Sequence, residues 1–313
     1  MMIRRLPNDI EIVETYTRAE LKKRQDIGWD EIDLNLSESF GRENEPRVLH
    51  FTADTGAAHS HPDIPPPIET KNVTNDRSVA DSNGHETWID GKLFGLNNDI
   101  GYQGICNETT DYVAIKVLNN QGSGWRMREA MQWALNFWVN HPKRRSGEYV
   151  AAVYSMSYGG GGHDQAEQDL FADMVANNFI PVAAAGNENR RLPSNPAAYN
   201  GVFSVGAYDR NRDRASFTNY GPWVDYVAPG VNVPSTIVGN RYGVMSGTSM
   251  ACPIVAGLCQ NFINSRPNDK WIHNFHGLQE AMAEHMVDLP GTWDGDGVFL
   301  PAGAVTRNKH NIF

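Results

Sequence analysis

Four side chains in this sequence form a set that could carry out a reaction together: Asp54, His85, Asn187 and Ser249. A carboxylate, an imidazole, a side-chain amide and a hydroxyl supply an orienting acid, a base, an oxyanion donor and a nucleophile. Each also has a plain reading on its own. Asp54 fits a turn residue closing a strand, His85 a surface histidine at a helix start, Asn187 a left-handed turn residue, and Ser249 an N-cap. The order Asp, His, Asn, Ser along one chain is what favours chemistry.

The elements that must position them are readable from apolar patterning. Tyr242–Gly257 reads as an irregular turn, Ser246-Gly247-Thr248-Ser249, entering a helix that is apolar on nearly every side and so must be buried. Its N-terminus favours developing negative charge, and Pro253 is expected in the first helical turn, where no intrahelical N–H is lost. Strands are predicted at Val48–Ala53, ending at Asp54-Thr55-Gly56, and at Tyr112–Leu118, Tyr149–Met156, Phe179–Ala185, Val202–Ala207 and Trp223–Val227. Helices are predicted at Met127–Val139, Asp164–Asn178 and Gly277–Met286, with helix-like runs at Arg18–Arg24 and Trp29–Ser39, and residues 63–84 read as a loop. Continuous apolar strands alternating with helices predict an α/β fold, a mostly parallel sheet covered on both faces, in one domain. The candidate residues then sit beyond the carboxyl ends of strands, where such sheets collect ligand sites.

Composition narrows the function classes. The chain has 313 residues and a formal net charge of −10, which argues against nucleic acid as a partner. No apolar run is long enough to span a bilayer, and the N-terminus lacks a signal peptide's apolar region. Three cysteines, Cys106, Cys252 and Cys259, do not suggest a disulfide framework. A reducing, cytoplasmic location is the expectation, and a secreted one if a leader is missing from the sequence. Oligomeric state is not readable.

Several segments together resemble the subtilisin-like serine protease family, over Gly28 to Val305. They are Asp54-Thr55-Gly56 with His61-Pro62-Asp63-Ile64, Ser157-Tyr158-Gly159-Gly160, Ala184-Ala185-Gly186-Asn187, Ala215–Gly221, Ala228-Pro229-Gly230, and Gly247-Thr248-Ser249-Met250-Ala251 followed by Pro253. The resemblance implies the three-layer subtilisin-like fold and a serine endopeptidase. Ser249 would attack the peptide carbonyl, His85 act as base and then acid, Asp54 hold the imidazole, and the Asn187 amide with the Ser249 N–H form the oxyanion hole. An extended polypeptide substrate would pair with Ser157, Tyr158 and Gly159 and with Gly122, Ser123 and Gly124, beside Ala184 and Gly186. Trp125 and Tyr158 are expected to narrow the side-chain pockets, and Glu188 and Arg190 fall near the first of them.

The histidine segment departs from the family pattern His-Gly-Thr-His-Val-Ala-Gly. It reads His85-Glu86-Thr87-Trp88-Ile89-Asp90-Gly91. A carboxylate at Glu86 is expected to favour the imidazolium and move activity to higher pH. The departure also motivates a second function, a catalytically impaired relative that binds peptides. Cys252 is expected to pack and Met250 to make the enzyme oxidation-sensitive. Leu96–Tyr102 resembles the family's calcium loop, implying structural Ca2+ held by Asp63, Asn98 and the carbonyls of Leu96, Ile100 and Tyr102, with Gln25 or Asp26 completing the set. In layout the chain is nearest to intracellular subtilisins: residues 1–23 form an N-terminal extension that would lie across the cleft through Arg4-Arg5-Leu6-Pro7 and inhibit, and 24–313 form the catalytic domain.

Overall fold

The computed structural model describes residues 45, 47–58, 60–106, 109–119, 126–160 and 162–284, and the backbone alone of 10–13, 287–288 and 298–299. The helix-like runs expected at 18–24 and 29–39 lie outside these residues, as do Gln25 and Asp26.

A nine-stranded sheet forms the middle layer. Its members are β2 (Val48–Asp54), β3 (Glu69–Asn72), β4 (Tyr112–Lys116), β5 (Ala151–Met156), β6 (Phe179–Ala184), β7 (Phe203–Tyr208), β8 (Tyr226–Pro229), β11 (Val287–Asp288) and β12 (Val298–Phe299). The spatial order is β11-β12-β8-β7-β6-β5-β2-β4-β3. Every neighbouring pair is parallel except β11 with β12. In β2, β4, β5, β6 and β7 every residue is buried, because helices cover both faces and no polar side can alternate out.

One face carries α1 (His85–Phe94) and α5 (Thr248–Ser265), the other α2 (Met127–Asn140) and α4 (Gln165–Ala176). Two separate cores result. Trp88, Ile89, Leu93 and Phe94 of α1 join Ile254, Val255, Leu258 and Phe262 of α5 in the first. Met131, Trp138, Phe171 and Met174 fill the second. The short α3 (Pro142–Ser146) follows α2, and α6 (Phe275–Ala283) closes the first core, capped by Asn274 accepting from the Gly277 N–H at 3.0 Å. The three-layer α/β expectation holds.

The loop expected at 63–84 contains the edge strand β3, whose four polar residues carry no apolar signal. A hairpin, β9 (Val233–Ile237) and β10 (Arg241–Met245), also escaped the sequence reading because Pro234, Ser235 and Thr236 break its apolar run. Gly239 and Asn240, both at positive φ, turn it. Strand β1 (Ile10–Val13) pairs antiparallel along β10, Ile10 opposite Met245. The hairpin holds α1 in place: Ser235 Oγ donates to Trp88 O and Thr236 Oγ1 to Thr87 O, each at 2.7 Å.

Candidate active site

The strand order reverses at β2, which lies between β4 and β5, and the candidate site begins at its carboxyl end. Asp54 is the last residue of β2 and is buried. Its Oδ1 accepts from the Thr55 N–H at 2.8 Å and pairs with His85 Nδ1 at 2.7 Å. Burial pushes the Asp54 carboxyl up, and the attraction and hydrogen bond of His85 oppose that shift.

His85 starts α1 because Gly84, at φ 102°, turns the chain in a conformation that favours glycine. The free N–H groups of this helix start go to Asp81. Its Oδ1 accepts from the Asn83 and Gly84 N–H groups, at 2.9 and 3.0 Å, and its Oδ2 from the Thr87 N–H at 2.8 Å and the Thr87 hydroxyl at 2.6 Å. Thr55 Oγ1 also donates to Asp81 and accepts from the Glu86 N–H, both at 3.0 Å. Asp81 and Thr55 thus staple the first turn of α1 to the end of β2. Sequence reasoning passed over Asp81, although an acid just ahead of a helix start is a capping signal.

Ser249 is the second residue of α5, and Gly247, not Ser249, is the N-cap. The capping-serine reading is therefore set aside. Ser249 Oγ donates to Ser157 O at 3.0 Å, and Ser157 Oγ donates to Ser249 O at 2.9 Å. Pro253 lies beyond the first turn, contrary to expectation, and deprives the Ser249 carbonyl of its helical N–H partner. The Ser157 hydroxyl supplies the missing donor. Asn187 Oδ1 accepts from the Thr248 N–H at 2.8 Å and pairs with the Thr248 hydroxyl at 2.9 Å. That fixes the orientation of the amide, with Oδ1 toward the start of α5. His85 Nε2 has no hydrogen-bond partner among the described residues, so the structure forms the acid–base half of the set and leaves the Ser–His link unmade.

The segment Ser157-Tyr158-Gly159 runs on from β5. The Tyr158 side chain is buried in the second core, so it does not narrow the cleft as expected, and it is Ser157 that lies beside Ser249. Ala184 ends β6, and Gly186, at φ 101°, sits where a Cβ would collide with the Asn219 amide. Glu188 Oε2 accepts from Asn219 Nδ2 at 2.7 Å, with Arg190 Nε 3.9 Å away. Gly122, Ser123, Gly124 and Trp125 lie outside the described residues.

One expectation around the site changes. Glu86 is fully buried, and burial, then Asp90, then Asp54 hold its carboxyl well above the usual range. It is not the carboxylate expected to favour the imidazolium. Met250, beside the nucleophile in the chain, is also fully buried. Trp88 fills the core where the family pattern has histidine. Burial pushes the Cys252 thiol up to about 11, in keeping with packing.

The Subtilase family model matches residues 52–288. The chain belongs to the subtilase family. It is accordingly a subtilisin-like serine endopeptidase. A thermostable alkaline protease of Halalkalibacterium halodurans is 36% identical over 263 residues, covering 82% of this chain and 68% of that protein. Subtilisin Savinase of Lederbergia lenta is 37% identical over 206 residues, 65% of this chain and 71% of its own. Subtilisin DY of Bacillus licheniformis is 35% identical over 258 residues, 80% and 86% respectively. The subtilase spans 64% of alkaline elastase YaB and 54% of M-protease.

In this subtilase the expected calcium loop is all oxygen in its donor types, the type calcium takes. Asp63 is buried, and its Oδ2 accepts from the Tyr102 N–H at 3.0 Å and the Tyr242 hydroxyl at 3.1 Å. Asn98 Oδ1 accepts from the Ile100 N–H at 3.2 Å. Among the described residues no three His, Cys, Asp or Glu side chains cluster as a metal site, so any cation would depend largely on carbonyl oxygens. Among the same residues, no helix is long and apolar enough to cross a membrane.

Proposed function

We propose that this subtilase cleaves peptide bonds through Ser249, His85 and Asp54. The observation that carries the reading is the buried Asp54–His85 pair at 2.7 Å, fixed beside the start of the helix that bears Ser249. Asp54 keeps the imidazole proton on Nδ1, leaving Nε2 to take the Ser249 proton and later pass it to the leaving amine. Ser249 must first turn from Ser157 O toward His85. The oxyanion forming on the attacked carbonyl meets the Ser249 N–H, which lies in the first turn of α5 and has no helical acceptor. The Asn187 amide supplies the second donor, its orientation fixed by Thr248. An extended peptide pairs with the backbone of Ser157, Tyr158 and Gly159 and with Gly122, Ser123 and Gly124, beside Ala184 and Gly186. A fluorophosphonate probe tests this: it labels the native protein and fails on Ser249→Ala and His85→Ala.

A second reading, a peptide-binding relative without turnover, draws on the Ser249 hydroxyl being engaged by Ser157 O. Peptide binding with no labelling of Ser249 would select it.

Two finer readings accompany the first. Residues 24–313 form the catalytic domain, and residues 1–23 dock on it as an inhibitory extension, making a zymogen. Pairing of Ile10–Val13 with β10 supports this, because β10 leads directly into the turn before Ser249. Arg4-Arg5-Leu6-Pro7 lies outside the described residues. Calcium, held by Asp63, Asn98 and the carbonyls of Leu96, Ile100 and Tyr102, would brace the loop after α1 and take no part in the chemistry.

A further inference from the structure

Two acids that the triad does not use lie one turn apart on α1, Glu86 and Asp90, and both are fully buried. At positions i and i+4 their carboxyls meet on one face of the helix, and each is a hydrogen-bonding neighbour of the other. The charged groups that bear on Glu86 are all acidic: Asp90 on its own helix, Asp54 from β2, and Asp81 from the segment ahead of α1. Tyr112 of β4 faces the same pocket, and His85 adjoins it in sequence. Two bare carboxylates cannot persist there, since each would be desolvated and repelled by the other.

The pair is not symmetric. Asp90 Oδ1 accepts from the Thr52 hydroxyl at 3.3 Å, and Asp90 also has a backbone hydrogen bond at Ala58. The Thr52 hydroxyl neighbours Glu86 as well, but Glu86 has no backbone donor to match Ala58 among the described residues, and Asp54 bears on it as a further negative charge. Asp90 is therefore the better site for the negative charge and Glu86 for the proton.

We propose that Glu86 and Asp90 share one proton, Glu86 as the acid donating to the Asp90 carboxylate, and that the pair is a positioning element for Asp54 and His85. The pair binds the first turn of α1 beneath the end of β2, where the Glu86 N–H meets Thr55 Oγ1 and the Thr55 N–H meets Asp54. When hydroxide removes the shared proton, as water, three buried acids face one another. That repulsion drives α1, and with it His85, away from Asp54. The positioning role rests on the triad reading above. The shared proton does not, so the two can fail separately.

The test uses the full chain in a Ser249→Ala background, which stops self-digestion, with glutamate carboxyls labelled with carbon-13. Infrared spectra at about pH 8, where an ordinary glutamate is fully ionised, should retain a label-sensitive carboxylic-acid carbonyl band. Glu86→Gln should abolish it and raise the midpoint of alkaline unfolding by at least about one pH unit, since the amide donates to Asp90 without a proton to lose. With Ser249 present, the alkaline limb of kcat/KM should move by a similar amount. No such band in the Ser249→Ala protein overturns Glu86 as the acid of the pair, and with it the proposal, whether or not the glutamine variant folds. A band that survives Glu86→Gln overturns the assignment to Glu86. Equal alkaline limbs overturn the positioning role.

Discussion

Ser157 and Ser249 are joined by two hydrogen bonds of opposite direction, hydroxyl to carbonyl each way, at 2.9 and 3.0 Å. One answers the proline that follows, and the other holds the nucleophile's proton in reserve. In Ser157→Ala the Ser249 carbonyl loses its side-chain donor in a helix that cannot replace it, at a cost of about 1–2 kcal/mol. Pro253→Ala restores a helical N–H, so the double variant should recover part of that loss. Urea unfolding of all four proteins measures the coupling, and strict additivity would refute the compensation.

Removal of the nucleophile and of one oxyanion donor should differ sharply. Ser249→Ala is expected to lower kcat by about 10⁶, and Asn187→Ala by about 10²–10³. Asp54→Asn, which disturbs the tautomer while keeping the shape, should cost about 10⁴. Single-turnover kinetics on one peptide substrate ranks the three, and comparable losses would undo the assigned roles.

Asp225 offers a second pH dependence, far from the triad in sequence. Burial pushes its carboxyl up to about 6, against its hydrogen bond from the Ser204 N–H. Below about pH 3 both folded and unfolded chains hold this proton. As pH rises from there to about 7 the unfolded chain releases it first, so folded stability falls by about 3 kcal/mol across that window. Asp225→Asn cannot titrate and should lack this contribution. Unfolding free energies at both ends of the window, in the Ser249→Ala background, provide the comparison.

Chelation should lower Tm by at least about 4 °C if the loop after α1 holds calcium. Asp63→Asn should remove that sensitivity. Unchanged Tm and activity in chelator would withdraw the site.

Deletion of residues 1–23 should raise kcat/KM by at least about tenfold, because a tethered inhibitor acts at a high effective concentration. Equal activity of the two forms would leave β1 as a docked strand without inhibitory effect.

The fold was legible where burial writes a continuous apolar signal. Val48–Asp54 and Phe179–Ala184 were found within a residue of their ends for that reason. Strand β3 was not, because an edge strand of Glu69, Thr70, Lys71 and Asn72 looks like loop. The hairpin β9–β10 was hidden by its polar residues, two of which bond to the carbonyls of α1. In the site, residue type and order pointed to Asp54, His85, Asn187 and Ser249. What neighbours do to those residues was not legible. Glu86 reads as a charge in the sequence and sits in the structure as a buried acid, since protonation depends on which groups the fold brings around it. Asp81 carried a capping signal ahead of α1, but its bond to Thr55 at the end of β2 joins residues far apart in the chain and leaves no trace in local sequence.

The buried sulfurs carry a practical consequence. Cys252 and Cys259 are fully enclosed, with both thiols pushed above their ordinary range, so alkylating reagents can reach them only when α5 comes away from the sheet. The opened form of a peptidase is also fodder for its neighbours. Thiol modification in the inactive Ser249→Ala protein therefore clocks the same opening that governs how long the active enzyme survives its own company.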